Sequence, residues 1–249
     1  MEFVGLISGG KDSIFSILKL VEQGHKPIVL ANLYPPELDK DLDSYMYQSV
    51  GMEATPYIAE AMELPLMRRP ITGKPITLDL GYEPTKEDEV EDLYLLLKDV
   101  KEKYPNIKGV SSGAIKSTYQ KNRVENICER LGLVSLAPIW DREQEGLLEE
   151  MVNSGMKSIL ARVCAPGLET KHLGKSIIEL YDHLKAQKKK HYIHICGEGG
   201  EYETITLDCP LYKKEIVVEE SEIVIETENQ FQLVARLLLK KLSLKEKSN

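Results

Sequence analysis

Long apolar runs are missing from this 249-residue chain, and nothing in it approaches the roughly 20 consecutive apolar residues that a membrane-spanning helix needs. Cysteine is scarce: Cys128, Cys164, Cys196 and Cys209 show no CxxC spacing. No basic leader heads a long apolar stretch behind the opening MEFVGLIS, so the expectation is an intracellular, reduced, cytoplasmic protein without membrane contact. Positive charge is not in excess either. With 40 acidic against 32 basic residues the net charge is -8, which disfavours a broad electrostatic grip on nucleic acid, so no direct nucleic-acid binding is expected. Internal repeats and low-complexity segments are absent, and a chain of this length has ample core for one large domain or two small ones without cysteine stapling.

What is present is concentrated in a few stretches. Residues 3 to 18, FVGLISGGKDSIFSIL, put glycines and a lysine between an apolar run and a helix-period run. From Gly5 the spelling GLISGGKD matches the commonest phosphate loop up to its lysine, but Asp12 stands where that loop needs Ser or Thr, and Leu6 and Ile7 belong to the strand. The remaining reading is strand, SGGKDS, helix. Gly9 and Gly10 allow close backbone approach, while the helix carrying Ile14, Ile17, Leu18 and Val21 on one face aims its N-terminal amides at an anion. Ser8 and Ser13 add hydroxyls, Lys11 a positive charge, and Asp12 a carboxylate in the first helical turn. A plain Gly-rich bend would need less donor chemistry than this.

Apolar runs at 3–7, 27–33, 64–69, 107–115 and 133–140 alternate with helix-period segments. One of these puts Val90, Leu93, Tyr94, Leu97 and Val100 on one face and Glu87, Asp88, Glu91 and Asp92 on the wet side. This predicts βα units, a doubly wound parallel sheet over residues 1–140, and a ligand site at the carboxyl ends of its strands, where SGGKDS lies. Residues 141–249 read as a second, smaller α/β lobe. It has helices in GLLEEMVNSG and around SIIELYDHL, strands in MKSILARVC, HYIHIC, GEYETITL and EIVVEE, and a last amphipathic helix from Gln230 to Leu242. Lys188, Lys189 and Lys190 suit a solvated helix end. His172 and Trp140 read as packing or surface residues.

Two further constellations stand out. Residues 197–204, GEGGEYET, crowd three carboxylates and three glycines into eight positions, a costly composition for a plain hairpin. Glu198, Glu201 and Glu203 suit magnesium, an amine or a ribose, and Tyr202 offers a ring face and a phenol, with Gly199, Gly200 and Thr204 beside them. The alternative is an acidic surface turn. In residues 111–128, Gly113 suits a second close backbone approach, and Tyr119, Gln120, Arg123 and Glu125 follow on a helix. Arg123 has the fork geometry for a phosphate or carboxylate, although Tyr119 and Arg123 four apart also suit a stacked surface pair.

SGGKDS resembles the PP-loop of N-type ATP pyrophosphatases, which cleave ATP between the α and β phosphates. With it, LDSYMYQSVG (42–51), DEVEDLYLLL (88–97), GAIKSTYQKNRVENIC (113–128), KHLGK (171–175) and GEGGEYETITLDCPL (197–211) resemble the diphthine-ammonia ligase family over nearly the whole chain. The resemblance implies a PP-loop ATP pyrophosphatase domain. ATP would be a co-substrate held with Mg2+ in the turn Ser8 to Ser13, with Lys11 and Asp12 catalytic and no protein metal-ligand set assigned. It also implies amidation of the diphthine carboxylate of translation elongation factor 2 through an acyl-adenylate. Gln48, Gly113, Tyr119, Gln120, Arg123, Glu125 and residues 198–204 would line the cleft. No glutaminase domain or N-terminal cysteine is evident, so free ammonium is the expected donor, and a homo-oligomer is compatible. Some fungal members carry extra C-terminal domains, which a chain of this length is expected to lack. The rivals are an RNA-modifying PP-loop ligase or thiolase, and an ATP sensor without turnover.

Overall fold

The computed structural model describes residues 1–36, 44, 46–48, 50–229 and 232–247. The LDSYMYQSVG stretch therefore lies partly outside the described residues, as does Gln230. Five strands, β1 (Glu2–Leu6), β2 (Lys26–Tyr34), β3 (Leu66–Pro70), β4 (Gly109–Ser111) and β5 (Val134–Leu136), pair in parallel in the order β3-β2-β1-β4-β5. Side chains alternate along β1: Phe3 joins the core with helices α1 (Lys11–Glu22) and α2 (Thr55–Met62), and Val4 joins the core with α3 (Glu89–Lys103) and α4 (Thr118–Leu131). Both faces are thus covered, as the near-continuous apolar spelling of β2 requires. The order reverses between β1 and β4, which makes the loops after those two strands the ligand crevice of such a sheet.

The second lobe adds α5 (Gln144–Asn153), α6 (Ile177–His191) and four strands, β6 (Lys157–Val163), β7 (Tyr202–Asp208), β8 (Lys214–Glu228) and β9 (Leu233–Glu246). These pair antiparallel in the order β7-β6-β9-β8. Its core is not separate. Ile14, Ile17 and Leu18 of α1 share one cluster of buried residues with Ile205 and Leu207 of β7, and each large side chain so buried contributes about 1.5–3 kcal/mol.

Three local expectations fail here. The helix expected from Gln230 to Leu242 is strand β9. A shift in its register against β8 near Glu219 carries Leu242 onto the buried face with Ala235, Leu237 and Leu239, so buried residues recur at 235, 239 and 242 in a spacing that imitates a helix. HYIHIC is not a strand. Tyr192 ends α6 in the left-handed region (φ 58), and the amides of His194 and Ile195 then bond the side chains of Glu201 and Gln144 rather than a ladder. Asp88 and Asp92, expected on the wet side of α3, are 1% and 5% exposed. His172 is buried and shares a capping box with Glu169, and Lys188 to Lys190 lie in the last turn of α6.

Candidate active site

The turn after β1 is held from both lobes. Gly9 takes φ +92, a conformation that a side chain would strain, and its carbonyl accepts the Thr206 amide of β7 at 2.9 Å. The Lys11 amide, at the N-terminus of α1, donates to Thr204 Oγ1 at 3.0 Å. Within the turn, the Gly10 amide donates to Ser8 Oγ at 3.3 Å and Ser13 Oγ donates to the Gly10 carbonyl at 3.0 Å. Gln48 closes the junction, since its Oε1 accepts Ser8 Oγ at 3.2 Å while its Nε2 donates to the carbonyls of Val50 (2.7 Å) and Thr204 (3.0 Å). Gly113, two residues beyond β4, presses on α1: a Cβ there would stand 2.8 Å from the Ser13 amide nitrogen. The close approach at Gly113 is thus made to the start of α1.

Lys11 is 2% exposed. Its Nζ donates to Asp12 Oδ2 at 2.9 Å and to the Cys196 carbonyl at 2.5 Å, and stands 5.0 Å from the Tyr202 ring centre. Burial alone would lower its pKa, but the Asp12 carboxylate, followed by the Tyr202 and Cys196 side chains, reverses this and leaves it raised, so the ammonium stays charged. Burial raises the Asp12 carboxyl, against the pull of Lys11. Its Oδ1 has no partner among the described residues, although the residue lines the cavity. The Cys196 thiol is pushed up to about 12 by burial, which removes it as a nucleophile at neutral pH.

The carboxylates of residues 197–204 are mostly engaged by the protein. Glu198 Oε1 accepts three consecutive amides, Ile115 (3.0 Å), Lys116 (2.8 Å) and Ser117 (2.9 Å), just before α4. Glu201 accepts the amides of His194 (2.7 Å) and Gly199 (2.8 Å). Glu203 contacts Arg162 at 3.5 Å and the Val50 amide at 3.4 Å. Tyr202 is buried and donates its hydroxyl to the Ile195 carbonyl at 2.7 Å, so its ring supports Lys11 and its phenol is spent. Of residues 198–204 all but Glu201 line the cavity, Glu198, Tyr202 and Glu203 included, together with Ser8, Lys11, Asp12, Gln48, Gly113, Tyr119 and Gln120. The cavity measures about 840 Å³, within the range of small-molecule sites.

Arg123 and Glu125 are placed differently from expectation and do not line the cavity. Arg123 is fully buried, stacks on Tyr119 and donates to the carbonyls of Tyr119, Thr77 and Asp79. A guanidinium this far from solvent takes the nearest backbone acceptors, and here it fastens a loop. Glu125 points outward to Lys121 at 2.8 Å. The sequence reading missed Asn32, a buried amide among the apolar residues of β2. It donates to the Ile7 and Leu33 carbonyls and accepts from Arg68 and Thr55. The one polar residue inside the run PIVLANL was the available signal.

A family model for the diphthamide synthase N-terminal domain matches residues 1–135, and a model for the C-terminal domain of the same synthase matches residues 143–239. The chain belongs to the diphthamide synthase family. Among relatives, a diphthine–ammonia ligase of Danio rerio is 52% identical, with 100% of this chain and 98% of that protein covered. The Homo sapiens protein of that name is 49% identical over 99% of this chain and 94% of its own length. The Schizosaccharomyces pombe protein, also 52% identical, is longer: the match covers 90% of this chain and 37% of that one. As a member of the diphthamide synthase family the chain is a ligase of diphthamide formation. In this chain the turn after β1 and the Gly-rich loop of the second lobe open on one cavity, and Asp12 Oδ1 is a buried oxygen there without a partner among the described residues. That donor fits a hard cation carried in by polyphosphate. Among the described residues no group of three or more His, Cys, Asp or Glu forms a metal site.

Proposed function

We propose that this chain amidates the diphthine carboxylate of translation elongation factor 2 with ammonium, consuming ATP and releasing AMP and pyrophosphate. The observation that carries the reading is the joining of the SGGKDS turn to a second-domain wall at a single cavity in a diphthamide synthase. ATP would lie with its β and γ phosphates at the N-terminus of α1, where the cap residue Gly10 has no side chain and the Lys11 amide is already held by Thr204. Lys11 supplies a buried positive charge to the leaving pyrophosphate. A carboxylate oxygen of diphthine attacks the α phosphorus as the bond to the bridging β oxygen breaks. Ammonia then attacks the acyl carbon, AMP leaves with the bonding electron pair, and the surplus proton goes to solvent. Mg2+, held by phosphate oxygens and Asp12, would neutralise developing charge on the polyphosphate. Gln48, Thr204, Gly199 and Gly200 shape the wall facing the nucleotide.

We place the division between the lobes at residues 140 and 141. No helix among the described residues is long and apolar enough to cross a membrane, and the free cysteines support a cytoplasmic setting. The test is to incubate the protein with diphthine-bearing elongation factor 2, ATP and ammonium. Diphthamide, AMP and pyrophosphate are expected, whereas ADP and phosphate would overturn the reading. Transfer of sulfur or an amino acid to transfer RNA would favour the RNA-modifying rival.

A further inference from the structure

Between β3 and α3, residues 72–88 form a loop that presents three large apolar side chains to solvent in alternation: Ile76, Leu78 and Leu80 are 51%, 60% and 62% exposed. The backbone beneath them is pinned. Asp92 accepts the amides of Thr72 and Gly73 and the Thr72 hydroxyl, at 2.7 to 2.8 Å. Asp88 accepts the amides of Ile76 and Thr77, at 3.1 and 3.0 Å. From the other side Arg123 donates to the carbonyls of Thr77 and Asp79, Tyr119 Oη donates to the Thr77 carbonyl at 3.3 Å, and Asn122 donates to the Leu80 carbonyl at 2.9 Å. Buried charge spent on holding a surface loop this firmly, with its apolar side chains outward, is the arrangement of a preordered contact surface, because little conformational entropy remains to be lost on binding.

The position of the loop identifies its occupant. Leu78 and Leu80 are exposed and also line the reaction cavity, so the apolar strip is continuous with the rim of that cavity. A carboxylate attached to a folded protein reaches the cavity only if its carrier covers that rim. We propose that Ile76, Leu78 and Leu80 are the docking strip for the diphthine-bearing protein, and that Arg123 is the positioning residue that holds the strip in place. This rests on the amidation reading for its choice of partner. It also accounts for a buried arginine that does not line the cavity.

The experiment titrates elongation factor 2 carrying diphthine into the intact chain by calorimetry, with turnover followed separately. Ile76→Ser should weaken binding of the carrier severalfold, and Ile76→Ser/Leu80→Ser by about tenfold or more. For Ile76→Ser, which lies off the cavity, ATP affinity and kcat at saturating carrier should stay at the wild-type level while KM for the carrier rises. Both substitutions replace exposed side chains and leave every backbone fastening intact, so folding should hold. Wild-type binding that neither variant weakens, or no binding by the wild type, overturns the docking strip. If the variants weaken binding but no diphthamide forms with the wild type, the strip stands and the amidation reading falls.

Discussion

The turn after β1 and the loop before β7 face each other across one cavity, yet they dispose of their polar groups in opposite ways. In the turn, Asp12 keeps an oxygen without a partner among the described residues, and Gly10, the cap residue of α1, supplies no side-chain cap. In the loop, Glu198 and Glu201 accept five backbone amides between them, and Tyr202 spends its hydroxyl on a carbonyl. An acidic spelling is therefore not by itself a ligand site. On the proposed reading the turn would meet the polyphosphate, and the loop mainly builds the wall that keeps the turn in register. That division orders the effects of substitution.

Lys11→Ala should cost the most. It removes the buried ammonium of the turn, and loss of such a preorganised electrostatic group lowers kcat by about 10²–10³-fold. Pyrophosphate release from ATP in the presence of diphthine-bearing elongation factor 2 measures this, and a variant within threefold of wild type would mean that Lys11 only ties the lobes together. Glu198→Ala tests the opposite region. It strips one acceptor from three adjacent amides, and should lower stability to urea by about 2–3 kcal/mol, with activity falling in parallel because residues 115–117 loosen. Loss of activity at unchanged stability would return Glu198 to the list of substrate contacts.

A smaller effect belongs to the seam between the regions. Thr204→Val keeps the shape of β7 but deletes the acceptor of the Lys11 amide, a loss of about 1 kcal/mol. The prediction is a severalfold fall in kcat with little change in KM for ATP, since the turn is displaced rather than emptied. Steady-state kinetics separates the two parameters.

Legibility followed the same line. The parallel sheet could be read because its central strands, β1 and β2, are largely apolar and the turn SGGKDS marks the end of the first. The second lobe was harder: the register shift between β8 and β9 made a strand imitate helical spacing, and Ile193 and Ile195 alternate without a neighbouring strand to pair with. Donor-rich residues could be named by type, but the direction of a side chain was not in the spelling. Arg123 and Glu198 are drawn to backbone groups by loops distant in sequence, at Thr77 and Ile115. Conversely Leu78 and Leu80 carry no chemical signature, and only the folded chain brings them to the rim.

The smallest effect lies where the lobes meet far from the cavity. Glu150 of α5 accepts from Lys19 of α1 at 2.6 Å and from Arg142 at 2.8 Å. The Lys19 ammonium holds the Glu150 carboxyl below its usual range, against the opposing effect of partial burial and with help from Arg142. A carboxyl depressed in the folded state contributes fully above its unfolded value, about 4.3, and loses that contribution as pH falls through the folded value. Glu150→Gln should therefore lower stability at pH 7 by only about 0.5 kcal/mol, as half-exposed pairs do, with wild type and variant converging in acid below pH ~4. Thermal unfolding of both proteins across pH 3 to 8 checks the sign. A difference that persists undiminished at pH 3 would show that Glu150 acts through packing rather than through its charge.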